Sequence, residues 1–188
     1  AILVAKALFG LSGGTIALLS IIAVKVFDRG DAGIGILMGA RGLGALIGPF
    51  LWRRLVVRGR DERLMRSIGA AFTLYAVCYG LFAGAPNIWL AALAVCGAHI
   101  GGGANWTMSA YAIQRFTPDH IRGRIFAFDY ALITVTMGLS FSIAGFAAEH
   151  VSPRAVGLTF AGAALVAALS WTPWASTLST RRHARANA

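Results

Sequence analysis

Arg41 stands near the middle of GILMGARGLGALIGPFL, residues 35–51, and is the only charged side chain in that stretch. A guanidinium at the centre of a membrane helix costs about 2.5–3.5 kcal/mol on insertion scales, so such residues face a bundle interior or a water-filled cavity. There Arg41 would attract an anionic group of a substrate or hold a carboxylate on a facing bundle. Gly39, Gly42 and Gly44 leave room beside it. A structural ion pair, or snorkelling toward an interface with a slightly displaced span, are the other readings. The cavity is the expectation.

Asp129 lies about one turn inside another apolar run, 125–148. It is either a proton carrier, as desolvated carboxylates are at functional sites, or one half of an ion pair. The favoured partners are Arg122, Arg124 or the arginine-rich stretch around Arg53 and Arg54. A place in the first helical turn also suits the helix dipole. The run 88–113 carries His99, Asn105, Trp106 and Ser109. His99, Gly102, Trp106 and Ser109 share one face at helical spacing, which would offer a substrate an aromatic wall and a few hydrogen bonds. The ordinary condition of a lone membrane histidine is a hydrogen bond to a neighbour. Ser12, Thr15 and Ser20 are expected to bond back to their own helix.

No other chemistry is legible. There is no G-x-x-x-x-G-K-[ST] phosphate loop, and four His with one intramembrane carboxylate make no metal cluster. Cys78 and Cys96 flank the turn at Asn87 at equal separations and read as small apolar filler. Neither an enzyme nor a cofactor is expected.

The elements that must position these residues follow from composition. The 188 residues are 57% hydrophobic and 13% charged, against about 25% charged in a soluble domain. Mean hydropathy is +0.70. Runs of about 18 or more apolar residues can cross a ~30 Å hydrocarbon core. Six spans are predicted, at about 7–26, 32–52, 67–85, 88–113, 125–148 and 155–174. The fold class is therefore all-α membrane protein, one six-helix bundle over 1–176 with a basic, disordered tail at 177–188. DRGD (28–31) and Pro86-Asn87 mark turns. TPDH (117–120) offers Thr117 as N-cap and Pro118 as first helical residue, and SPR (152–154) repeats that start.

The formal charge is +10. The second and fourth connections and the tail hold most of the arginines, and the odd-numbered connections hold few. By the positive-inside rule both termini lie in the cytoplasm. The basic connections would meet anionic lipid. Nucleic acid is not expected, since no recognition motif accompanies the charge. Gly35/Gly39, Gly44/Gly48, Gly10/Gly14 and Gly97/Gly101 have the four-residue spacing that allows close helix approach. Glycine clusters at 10–14 and 101–103 open two possible helix triplets, where matched interruptions would point to a transport path.

Three stretches carry a family resemblance. GARGLGALIGPFLWRRLVVRGRDER (39–63) resembles the glycine-rich, basic-ended connection after helix eight of major facilitator superfamily transporters. QRFTPDHIRGRIFAF (114–128) is similar to the P-x-x-x-R-G-R connection before helix eleven, and GLSGGTIALLSIIAV (10–24) to helix seven. The acidic residue usual at the end of helix eight is replaced by Gly48-Pro49 and Trp52-Arg53-Arg54, with no carboxylate until Asp61, so no gating salt bridge is implied there.

The resemblance implies the C-terminal half of a twelve-helix fold, built of two inverted three-helix repeats. Spans one, two, four and five would line a central cavity. It also implies secondary active transport by alternating access, in flavour closest to bacterial siderophore and drug exporters: proton-coupled efflux by antiport across the inner (plasma) membrane. The partners would be a small-molecule substrate and an N-terminal six-helix half, in the same chain or a separate one. A start at Ala1, with the first span following at once, reads as a fragment. The alternative is a six-helix membrane scaffold that assembles with partners and moves nothing.

Overall fold

The computed structural model describes residues 1–56 and 61–186, with side chains for 1–53 and 61–178. The described residues form seven α-helices and no strand: α1 Ile2–Leu11, α2 Gly14–Lys25, α3 Gly30–Val56, α4 Asp61–Gly84, α5 Ile88–Phe116, α6 Asp119–His150 and α7 Pro153–Ala186. α1 and α2 together make one crossing, so the helices supply six membrane spans.

The breaks have local causes. Positive φ angles at Asp28 (50°) and Gly30 (48°) turn the chain sharply before α3, a conformation that Gly and Asp tolerate. Asn87 caps α5, its side chain accepting from the N–H groups of Trp89 (3.1 Å) and Leu90 (3.0 Å). Ser152 accepts from the Ala155 N–H at 3.3 Å, with Pro153 first in α7. The start expected at Thr117 is different. Its N–H still bonds the Ile113 carbonyl, so Thr117 closes α5, and Pro118 precedes α6. α7 continues as helix to Ala186, through the stretch expected as a disordered tail, because no Gly or Pro after Pro173 interrupts its Ala, Arg and Leu.

The packing order is not the chain order. α3 lies along α5, α5 along α4 and α4 along α7, while α6 lies along α1 and α2. Exchanging spans one to three for four to six maps α3–α5 onto α6 with α1 and α2, α4–α7 onto itself, and α4–α5 onto the lighter contact of α7 with α1 and α2, as two three-helix repeats of inverted topology require. α3 meets α5 backbone to backbone. A Cβ on Gly44 would overlap the Cys96 carbonyl, and one on Gly48 the Ile100 carbonyl. Small residues at this spacing are what permit such contact in lipid. Gly35 and Gly39, with the same spacing, face open space, while Gly10/Gly14 and Gly97/Gly101 are packed like Gly44/Gly48, so three of the four pairs are packing and one is surface. Phe9, Phe72, Tyr75, Tyr79 and Phe82 form an aromatic column at the centre, with Tyr75 and Tyr79 ring centroids 4.7 Å apart.

The first span is broken at Ser12-Gly13, which frees the Leu11 carbonyl and the Gly14 N–H. Inside a bilayer such groups need protein partners. Ser140 of α6 serves both: its hydroxyl donates to the Leu11 carbonyl and accepts from the Gly14 N–H at 2.7 Å. The matching glycines of the fourth span, Gly101 to Gly103, lie in an unbroken α5. The expected interruption is therefore present in one triplet only. The serine back-bonding expected in the first span is seen at Ser12, which donates to the Leu8 carbonyl at 2.8 Å, and at Thr15, which donates to the Ser12 carbonyl at 3.0 Å.

Candidate functional site

A cavity of about 270 Å³ opens beside Arg41. Its walls come from α1 (Phe9), α2 (Ile16), α3 (Arg41, Ala45, Pro49), α5 (His99, Gly102, Gly103, Trp106, Thr107) and α6 (Met137). These are spans one, two, four and five. The close α3–α5 contact sets Arg41 and His99 across from one another. Arg41 is the only charged side chain in the lining, and its Nε is buried without a hydrogen-bond partner among the described residues. Apart from the polar His99 and Thr107, the rest of the wall is apolar or aromatic. Such a space suits an amphipathic molecule with one negative group.

His99 is buried and has the neighbour expected of a lone membrane histidine. Its Nε2 lies 2.8 Å from the Tyr79 hydroxyl. Next to it, the Tyr75 hydroxyl lies 3.1 Å from Thr15 Oγ1, which continues to the Ser12 carbonyl at the helix break. The polar side of the cavity is thus fastened to the interrupted first span.

Of the other α5 candidates, Trp106 lines the cavity, and Asn105 and Ser109 do not. Both are buried at 1% exposure, and Ser109 donates to the Trp106 carbonyl at 3.0 Å. This corrects the shared face expected for Ser109: it lies at the edge of the His99–Trp106 face and Asn105 about a quarter turn beyond the wall, so the neighbouring helices cover both.

Asp129 is an ion-pair residue, but its partner is Lys6, at 3.0 Å, with both side chains 2% exposed. This corrects the expected pairing with Arg122, Arg124 or the second connection. Arg122 instead pairs with Asp119, one turn away in the same helix. Arg124 and Arg53 are exposed, and the Arg54 side chain lies outside the described residues. The physical reason is depth: Asp129 projects from the part of α6 that packs on α1, out of reach of side chains at the membrane face. Lys6 was missed because the first span was begun at Ala7. The structure begins it at Ile2 and places the lysine inside. The legible signal was a lysine flanked on both sides by apolar residues in AILVAKALFG. The Lys6 ammonium also lies over the Trp106 ring, 4.2 Å from its centroid.

Nearer the basic connections, Asp61 at the start of α4 pairs with Arg115 at the end of α5, at 2.7 Å. A charged contact therefore exists at this membrane face even though the span before it, α3, carries no carboxylate toward that end. No group of three or more His, Cys, Asp or Glu is placed to hold a metal among the described residues.

No curated protein and no solved structure matches the chain. A family model does, the Major Facilitator Superfamily, over residues 2–187. With its six apolar spans the chain is an integral membrane protein of a family that transports small molecules. The match covers nearly the whole sequence and agrees with the helix count, the paired triplets and the cavity, and the chain belongs to the Major Facilitator Superfamily.

Proposed function

We propose that the chain is the C-terminal six-helix half of a secondary transporter that moves an amphipathic, partly anionic small molecule by alternating access, driven by a proton gradient. The observation that carries this reading is the open cavity on spans one, two, four and five, in which, among the described residues, Arg41 is the only charge and its Nε has no hydrogen-bond partner. An assembly scaffold would fill that space with side chains. The other half would close over α3 and α6, the most exposed spans. The arginine-rich connections support cytoplasmic termini in a bacterial inner membrane, with anionic lipid at those connections. Efflux of a drug- or siderophore-like compound in exchange for protons is the finer reading. Likeness of residues 39–63 and 114–128 to exporters is its only support.

The test uses the polypeptide that carries this chain, in proteoliposomes with an imposed pH gradient. Lipophilic dyes and siderophore-like acids are followed in both directions beside Arg41→Ala. Gradient-dependent flux of an anionic compound, abolished in a normally inserted variant, is the expected result. Equal flux in the variant removes Arg41 from the site.

A further inference from the structure

The cavity wall holds a second nitrogen without a hydrogen-bond partner among the described residues. His99 is held at one edge only: its Nε2 lies 2.8 Å from the Tyr79 hydroxyl, a bond that sets the plane of the ring. Its other nitrogen, Nδ1, makes no hydrogen bond among the described residues. Nδ1 lies 3.6 Å from the point where a Cβ on Gly102 would stand, and the Phe9 ring lies 3.5 Å from the same point. Gly102 and Phe9 both line the cavity. Arg41 borders it from α3. Gly44, one turn along α3 from Arg41, would place a Cβ 3.0 Å from the His99 Cβ, so Arg41 and His99 spring from facing helix surfaces. The Arg41 Nε is likewise without a partner among the described residues.

What Nδ1 offers depends on which end of the imidazole carries the proton. A neutral imidazole has one donor nitrogen and one acceptor, and the hydrogen bond at one end decides the other. Behind the ring, Thr15 donates to the Ser12 carbonyl at 3.0 Å and so accepts from the Tyr75 hydroxyl at 3.1 Å. Tyr79 is fully buried, and its hydroxyl meets His99 Nε2. A phenol is the stronger acid of that pair and an imidazole nitrogen the stronger base. Tyr79 therefore donates, Nε2 is bare, and the ring proton sits on Nδ1. With the tautomer reversed, a bare Nδ1 would face the guanidinium and could accept its Nε–H. Arg41 Nε makes no such bond.

From this arrangement we infer that His99 Nδ1–H and the Arg41 guanidinium form a two-donor seat for a carboxylate, with Tyr79 as the positioning residue that sets the imidazole proton. The inference rests on the cavity being the substrate site and narrows the ligand to a carboxylic acid with an apolar or aromatic body. Its two oxygens would be shared between α5 and α3, and its body would lie against Phe9, Ile16, Trp106 and Met137. A carboxylate accepts at both oxygens and suits such a pair, whereas a neutral amide of the same shape accepts at one and brings N–H groups to the other donor. Loss of one hydrogen bond to a charged group weakens binding about 10–100-fold.

The test uses the polypeptide that carries this chain, purified in detergent. Calorimetric titration gives its affinity for 2-naphthoate and for the neutral 2-naphthamide at about pH 8, where the acid is ionised and an imidazole is ordinarily neutral. The ratio of the two affinities reads the seat and cancels general damage to the cavity. The parent is expected to prefer the acid. His99→Gln can still reach Tyr79 but has no donor at the place of Nδ1, and should cut the preference about 10–100-fold. His99→Asn puts an amide N–H where Nδ1 stood and should keep most of it. Nitrogen spectra of isotope-labelled histidine, assigned by the signal lost in His99→Gln, are expected to show the proton on Nδ1 in the ligand-free parent and divided between both nitrogens in Tyr79→Phe. The inference is overturned by a parent proton on Nε2, by an Nδ1 proton unmoved in Tyr79→Phe, by an unchanged preference in His99→Gln, or by an equal loss in His99→Asn. Failure of the cavity reading looks different: the parent then prefers the acid no more than Arg41→Gln does.

Discussion

Ser140→Ala isolates what holds the broken first span to the rest of the bundle. In the parent the Ser140 hydroxyl serves two main-chain groups at once, the Leu11 carbonyl and the Gly14 N–H, and it is 1% exposed. The substitution removes one oxygen and leaves two buried backbone groups without partners. An orphaned buried group costs about 1–3 kcal/mol in soluble proteins. Hydrogen bonds between membrane helices measure lower, averaging about 0.6 kcal/mol with a maximum near 1.7. Two groups lost together therefore give about 1–3 kcal/mol, and the dryness of the site places the expectation near the top of that range. The assay is reversible unfolding in mixed micelles of a mild detergent and dodecyl sulfate, followed by helicity. Ser142→Ala is the control, because that hydroxyl is exposed and bonds the Gly138 carbonyl of its own helix at 3.0 Å; its change should stay within about 0.5 kcal/mol. A Ser140→Ala loss no larger than the control would refute the reasoning and mean that water, not α6, satisfies the break.

Two further substitutions read packing and charge. Gly44→Ala places a Cβ against the Cys96 carbonyl and should cost about 1–3 kcal/mol by overpacking; Gly39→Ala, with nothing within 4 Å, should cost nothing. The same unfolding assay decides, and equal effects would show that α3 does not rest on α5. Lys6→Met and Asp129→Leu each leave an unpaired charge buried inside the bundle and should cost about 3–5 kcal/mol, while the double variant returns close to the parent. Additive losses in that cycle would deny the ion pair.

Much of this protein was legible from residue order because the bilayer enforces simple rules. A segment that crosses lipid must satisfy its backbone internally and stay apolar for about 20 residues. The six spans, the turns at 28–31 and at Asn87 and the all-helical class followed from that, as did a cavity for Arg41, since lipid leaves a central guanidinium few other places. What the sequence could not specify is which helix faces which. Packing pairs residues remote in sequence, so Asp129 found Lys6, not the arginines nearest to it along the chain. The same holds for Ser140, one of many membrane serines until α6 lies across the break at Ser12-Gly13. Gly44 and Gly39 carry the same local pattern, yet one touches a neighbouring backbone and the other faces open space. Helical spacing put His99 and Trp106 on one face, but only the docking of α3, α1 and α6 made that face a cavity wall and left Ser109 outside it. Periodicity is a property of one helix, whereas a binding site belongs to the space between several, and that space is fixed only when distant helices close-pack.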